Sequence, residues 1–125
     1  MPIRLSRRAF RRLVQEALAG LPATVLAYLD NVDILVQDWP TPQQLASVGA
    51  ESPYDLLGLY EGIPRTERSF YNLVLPDRIT LFQRPIEAVC ESAEEVAQQV
   101  RVTILHELAH YYGWKDADME RLGLV

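Results

Sequence analysis

The sequence predicts an α+β fold with helices at the N-terminus, a small mixed sheet of three to four strands, and one long helix near the C-terminus. Three observations predict it. Apolar residues recur at helical spacing in the first part of the chain. Three short runs of branched and apolar residues follow, each punctuated by proline or glycine. A longer run, Ala93–Tyr112, then carries a capping signal at each end. The chain length suits one modest core, so we predict a single domain over residues 1–125.

The first helix is predicted over residues 7–18, with Ser6 as its N-cap. Gly20 and Pro22 end it, because glycine favours the C-cap and proline cannot continue a helix. A second short helix is predicted over residues 23–29. The apolar side chains that form the buried stripe of the first helix are Phe10, Leu13, Val14, Ala17 and Leu18.

The sheet is predicted from three apolar runs. Glycines at 58 and 62 interrupt the second run, which indicates a bulge or the close approach of another backbone. The segment between the first two strands is polar, with a possible helical turn early in residues 41–49 and a loop over residues 47–53. The predicted strands are residues 31–39, 56–64 and 77–85, with a charged loop at residues 65–72.

The long helix is predicted to run from Ala93 to Tyr112. Ser92 and Glu95 fit a capping box before it, and Gly113 can end it in the left-handed conformation. Several of its central residues are mediocre helix formers, so burial must stabilise the segment. The predicted buried stripe consists of Ala97, Val100, Ile104, Leu105 and Leu108.

The most informative motif lies in this helix: His106-Glu107-Leu108-Ala109-His110. Residues four apart share one helix face, so both imidazoles can reach one metal ion. Glu107 is rotated by about a hundred degrees from His106, where it can hold a water instead of the metal. In this HExxH pattern the histidines bind zinc (Zn²⁺) and the glutamate is the general base. The chain has two histidines in all, both in the motif. The alternative is a pair of solvent-facing histidines on a surface helix.

A third metal ligand cannot be histidine, so it must be a carboxylate, a water or the lone cysteine, Cys90. Gly113 allows the chain to turn back after the helix, which lets Asp116 approach the metal from outside. Asp116 is the first choice, with Asp118 and Glu120 as alternatives. Asp116 could instead be a turn residue or the N-cap of a short helix over residues 117–122.

Composition excludes several classes of protein. Hydrophobic residues make up 49% and charged residues 23%, which is ordinary for a globular domain, and no window is apolar enough to span a bilayer. The net charge of −5 argues against nucleic-acid binding by the whole chain. The N-terminus lacks the apolar core of a secretory signal. A single cysteine, predicted to be buried or half-buried, excludes an internal disulfide and favours the cytoplasm.

Arginines cluster in the first helix, at positions 4, 7, 8, 11 and 12. We interpret them as a solvated helix face. The less favoured alternative is a surface that binds nucleic acid or an acidic partner.

Three segments resemble the short bacterial minimal-zincin proteins, a metallopeptidase-like family. They are residues 57–64, residues 75–82, and the run from His106 to Asp116, which reads HExxHxxGxxD. The resemblance implies a minimal zincin-like α+β domain, with His106, His110 and Asp116 as metal ligands and Glu107 as the base. The chain departs from the metzincin layout in having no convincing Met-turn downstream.

The resulting expectation is a zinc-dependent metallopeptidase, in which Glu107 accepts a proton from a zinc-bound water as it attacks a peptide carbonyl. Tyr111, Tyr112 and Arg84 are candidate donors to the carbonyl oxygen. A strand edge at residues 57–63 or 80–84 would receive an extended peptide or protein substrate. No nucleic-acid or membrane partner is expected, and the oligomeric state is open.

The alternative function is a non-catalytic, metal-stabilised binding or scaffold protein. The short stretch of chain after the motif motivates it, because little of the sequence remains to build a substrate cleft.

Overall fold

The computed structural model describes residues 1–63 and 75–124. The predicted charged loop at residues 65–72 lies outside these ranges. In chain order the helices and strands are α1 (Arg7–Ala19), α2 (Ala23–Leu26), β1 (Val32–Gln37), α3 (Pro42–Val48), β2 (Gly58–Glu61), β3 (Asp77–Phe82), α4 (Gln83–Ala88), α5 (Ala93–Tyr112) and α6 (Asp116–Arg121). Short 3₁₀ turns lie at Ala27–Leu29 and Pro53–Asp55. The α+β class is therefore confirmed.

The described strands form one three-stranded mixed sheet in the order β1-β3-β2. β1 runs parallel to β3, with Val32 opposite Asp77, and β2 runs antiparallel to it, with Gly58 opposite Leu81. β3 is therefore the central strand and is paired on both sides. The prediction that residues 80–84 might form a free edge is wrong. Among the described residues, the outer edges belong to β1 and β2.

α1 forms as predicted and packs on α5. The hydroxyl of Ser6 accepts the N–H of Ala9 at 3.1 Å, and the backbone N–H of Gly20 caps the other end. The predicted second helix is divided into α2 and the 3₁₀ turn Ala27–Leu29. The core side chains that α1 contributes are Phe10, Leu13, Val14 and Ala17.

α5 has the predicted bounds and crosses the core between α1 and the sheet. Ser92 Oγ accepts the N–H of Glu95 at 3.2 Å, whereas the carboxylate of Glu95 accepts the N–H of Glu91 at 2.9 Å. In the predicted capping box, the carboxylate of Glu95 would accept the N–H of Ser92. It accepts the N–H of the preceding residue, Glu91, instead. Gly113 ends the helix at a φ of 67°, the left-handed conformation that glycine adopts at low cost. The fully buried side chains of α5 include Val96, Val100, Ile104 and Leu108.

The third strand is shorter than predicted, because residues 83–85 belong to α4. Pro85 is tolerated there, since the first N–H groups of a helix have no partner within it. Gln83 is fully buried and Glu87 is 3% exposed. Glu87 Oε2 accepts the N–H of Leu5 at 2.9 Å, and Gln83 Nε2 donates to the carbonyl of Leu5 at 3.0 Å. These long-range bonds to the N-terminal segment turn the chain out of the sheet.

α3 is a complete helix where only a turn followed by a loop was predicted. Thr41 and Gln44 form a reciprocal capping box, Pro42 begins the helix, and Gly49 ends it at a φ of 68°. Leu45 of α3 packs on a small apolar cluster on the second side of the sheet, which consists of Leu56, Leu59 and Phe82.

Cys90 is 2% exposed, as predicted. Burial raises the pKa of its thiol, and the negative charges of Glu95 and Glu87 raise it further. A thiol of this kind is a poor nucleophile at neutral pH. Separately, none of the helices in the described part of the chain combines the length and the apolar character of a membrane span.

Candidate active site

His106 and His110 lie away from the buried stripe of α5, and Glu107 lies at the border of that stripe, four residues after the buried Thr103. His106 and His110 are exposed and Glu107 is half-buried. All three line one cleft of about 710 Å³. The strand β2 forms one wall of this cleft, and the end of α3 with the following segment forms another. The structure therefore brings three of the four predicted site residues together.

The outer edge of β2 faces this cleft. Phe82 N–H donates to the carbonyl of Leu57 at 2.9 Å, so that residue pair is hydrogen-bonded across the ladder. Bonding alternates along an antiparallel pair, so the backbone groups of Gly58 and Tyr60 point away from β3. The N–H of Tyr60 indeed donates to Glu107 Oε1 at 3.0 Å. The prediction that residues 57–63 supply the free edge is confirmed for the described strands.

β2 and α5 meet in a regular series of contacts. A Cβ added to Gly58 would lie 2.6 Å from Thr103 Cγ2, and one added to Gly62 would lie 2.9 Å from the hydroxyl of Tyr111. The bond between Tyr60 and Glu107 lies between these two positions. Every second strand residue thus meets every fourth helix residue. Two strand residues rise about 6.6 Å and four helix residues about 6.0 Å, so the two repeats match. The close neighbour at Gly58 is thus the side chain of Thr103, and not the bulge or the second backbone that the glycines predicted.

Replacing Gly58 with alanine should destabilise the domain by about 1–3 kcal/mol, because the new methyl group meets Thr103 and the carbonyl of Thr80. The free energy of unfolding in urea measures the effect. Thr103→Ser removes the clashing methyl and retains the hydroxyl that accepts from Gln99. Gly58→Ala should therefore cost less in the Thr103→Ser background than in the wild type. Equal costs in both backgrounds would contradict this steric explanation.

The three candidate donors to a carbonyl oxygen occupy different places. Tyr111 lines the cleft, and its ring stacks on Tyr60 with centroids 3.9 Å apart. Tyr112 packs edge-on against Tyr28 at 5.0 Å, outside the described lining of the cleft. Arg84 is in α4, where it pairs with Glu87. Of these candidates, Tyr111 is the one that shares the cleft with the motif.

The carboxylates after Gly113 are in α6. Asp116 begins this helix and is exposed, and its carboxylate forms no hydrogen bond or ion pair with the described residues. Asp118 is engaged: its oxygens accept the N–H of Lys115 at 2.9 Å and Arg121 Nη2 at 3.2 Å. These bonds lower the pKa of Asp118, the one to Lys115 most of all. The sequence predicted this short helix together with the alternative role of Asp116 as its N-cap. The predicted start, residue 117, is one residue later than the observed start.

The donor set fits zinc in part. Two exposed imidazoles four residues apart on one helix are ligands that zinc prefers. Within residues 1–63 and 75–124, however, no three side chains of His, Cys, Asp or Glu are grouped closely enough to hold a metal ion. Asp116 does not line the cleft that His106 and His110 share.

Comparison with known families gives a clear match. The sequence model of a family described as Zincin-like metallopeptidase matches residues 29–124, well over half of the chain. The chain belongs to this family. The match covers the three strands of the zincin-like sheet together with α5 and α6. The family resemblance noted in the sequence is thereby confirmed. No curated protein matches the chain.

Two parts of this zincin-like cleft were missed by the sequence analysis. One is the wall formed by Ser47, Val48 and Ala50 at the end of α3. The signals that could have predicted it are the capping box and the glycine that ends the helix. The other is the backbone N–H of Tyr60, which no side-chain motif indicates because it depends on the phase of the strand ladder.

Proposed function

We propose that this zincin-like chain is a zinc-dependent peptidase that cleaves peptide bonds in the cleft between β2 and α5. The observation that carries the proposal is the hydrogen bond from the Tyr60 N–H to Glu107. It places a carboxylate at the free edge of a strand, beside two exposed imidazoles. A general base, two metal ligands and a surface for an extended peptide thus share one cleft.

His106, His110 and Asp116 are the proposed zinc ligands. Asp116 follows directly from the turn at Gly113 and makes no bond to the described residues, whereas Asp118 caps α6. Zinc held by these groups would polarise a carbonyl and lower the pKa of a water bound to it.

The remaining steps belong to the side chains and backbone of the cleft. Gly58 presents its N–H and carbonyl to an extended peptide that lies along β2. The N–H of Tyr60 orients Glu107 through Oε1, which leaves Oε2 to take the proton of the attacking water. Glu107 then passes this proton to the departing amine. The hydroxyl of Tyr111 is the proposed donor to the carbonyl oxygen.

A second function is a non-catalytic, metal-stabilised scaffold or binding protein. The specific observation in its favour is that the described lining of the cleft contains His106 and His110 but not Asp116, whereas a catalytic zinc site has three protein ligands. Two further expectations accompany both functions. We propose that residues 1–125 form one domain, because α1 precedes the family match and yet shares a core with α5. We also propose a cytoplasmic location, which a lone buried thiol favours.

A paired measurement tests the peptidase. Zinc content of the purified chain is measured by elemental analysis, and cleavage of a mixed peptide library by mass spectrometry. We expect about one zinc per chain and cleaved products, both lost when His106 and His110 are replaced by glutamine. Gln98→Ala, on the same helix and outside the cleft, serves as the control. Zinc without cleavage would favour the scaffold, and a wild-type chain that takes up no zinc would contradict both functions.

A further inference from the structure

A second groove, of about 600 Å³, lies at the opposite edge of the sheet, between α1 and β1. The helix contributes polar side chains at positions i, i+3, i+4 and i+7, which are Arg8, Arg11, Arg12 and Gln15. The strand contributes the residues from Ile34 to Gln37, among which Leu35 is 43% exposed. The HExxH motif does not account for this groove, and the family match includes its strand but not its helix, because the match begins after α1.

The backbone of β1 is open along this groove. Asp77 N–H donates to the carbonyl of Asn31 at 3.2 Å, which sets the phase of the parallel ladder. Alternate residues bond to β3, so the backbone groups of Val32, Ile34 and Val36 point outward. The carbonyl of Val36 accepts from Arg7 Nη1 at 3.2 Å, as this phase requires. The other outward groups face no partner strand among the described residues.

The charge along the groove is positive although the chain as a whole is acidic, with a net charge of −5. Arg8, Arg11 and Arg12 are exposed and form no hydrogen bond or ion pair with the described residues. Arg7, on the same helix, differs: it donates to Gln83 at 2.7 Å and to Asp38 at 2.6 Å. Three guanidinium groups without a partner among the described residues thus lie beside an open strand edge. Together they form a surface complementary to an acidic extended chain.

We propose that this groove binds an acidic, extended segment of another protein as a fourth strand beside β1. The segment hydrogen-bonds to the outward groups of Val32 and Ile34, and its carboxylates pair with the arginines of α1. Arg8 and Arg12 are four residues apart, a rise of about 6.0 Å along the helix. Side chains on one face of a strand repeat at about 6.6 Å. The preferred ligand therefore carries acidic residues at every second position.

Peptide binding to the full chain tests the charge pattern. The probe is a fluorescent seven-residue peptide with glutamate at alternating positions and threonine or valine between them. The comparison peptide has the same composition with its glutamates adjacent. In fluorescence anisotropy, the alternating peptide should bind about 10-fold more tightly. Reversal of Arg8, Arg11 and Arg12 to glutamate should weaken it at least about 10-fold, as should raising the salt concentration of the wild type.

Arg4→Glu is the matched control, because Arg4 is exposed, lies outside the described lining of the groove, and gives the same charge change per site. It should alter the affinity by less than about twofold. Equal binding of both peptides would overturn the proposal. So would an oligothymidine that binds as tightly with the same arginine dependence, since this would indicate nucleic acid instead.

Amide hydrogen exchange tests the strand pairing directly and does not depend on any variant. The bound peptide should slow exchange at Val32 and Ile34 by about 10-fold or more, while Leu35, already bonded to β3, changes little. Unchanged rates at the outward amides would contradict strand addition. If the same amides are protected in a dimer without peptide, shown by analytical ultracentrifugation, the occupant is a second copy and the proposal fails.

Discussion

Glu107→Gln should retain zinc and lower kcat/KM for peptide cleavage by about 10²–10⁴-fold, the range that a general base contributes. The amide oxygen of glutamine can still accept the N–H of Tyr60, which the carboxylate accepts at 3.0 Å in the wild type. The contact between β2 and α5 is therefore preserved while the proton acceptor is lost. Zinc content and steady-state kinetics on a cleaved library peptide are the two measurements.

Glu61→Gln is the control for this result. Glu61 lines the same cleft and makes the same change of charge, but its partner is Arg78, at 3.6 Å on the surface. An exposed pair of this kind contributes little, so kcat/KM should stay within about threefold of the wild type. A Glu107→Gln variant that cleaves at the wild-type rate would contradict the proposed mechanism. Loss of zinc would instead give Glu107 a role in metal binding.

Asp116→Asn should weaken zinc affinity by about 100-fold or more, because removing a direct ligand costs more than the 10- to 100-fold typical of residues that support ligands. An amide is neutral and a poor ligand for zinc, so the two histidines alone would hold the metal. Titration with a competing chromophoric chelator at constant pH measures the affinity.

Two neighbouring carboxylates serve as controls for Asp116. Asp118→Asn removes the acceptor for the N–H of Lys115 and the partner of Arg121, so α6 should fray while zinc affinity stays close to the wild type. Because the folded pKa of Asp118 is lowered, its stabilising effect is present at neutral pH and is lost as the pH falls through that pKa. If Glu120→Gln abolishes tight binding and Asp116→Asn does not, Glu120 is the third ligand.

The parts of the fold that the sequence predicted well depend on local signals. Ser92 and Gly113 determine the ends of α5 through bonds and dihedral angles within a few residues of each end. The shared face of His106 and His110 follows from helix geometry alone. The signals for the two ends of α3, Thr41 and Gly49, are equally local, yet the segment was predicted only as a turn.

The features that could not be predicted depend on distant residues. Gln83 and Glu87 form a helix because Leu5 supplies their partners from the other end of the chain. The free edge of β2 depends on the pairing of all three strands. The burial of the last four residues of β3, from Ile79 to Phe82, is likewise a result of the tertiary structure, which covers this strand on both faces. The third metal ligand depends on the path after Gly113, which spacing alone does not specify.

The series of contacts between β2 and α5 has a consequence for specificity of assembly. Because the strand and helix repeats match, a slide of two residues along the strand and four along the helix would bring similar backbone positions together again. The glycines disfavour this slide. Such a slide would place Tyr60, which has a Cβ, against Thr103 or Tyr111, where a Cβ on the native glycine would already lie within 3 Å of a side-chain atom. The spacing Gly-x-Tyr-x-Gly therefore favours one register of β2 against α5, and so one position of Glu107 along the strand.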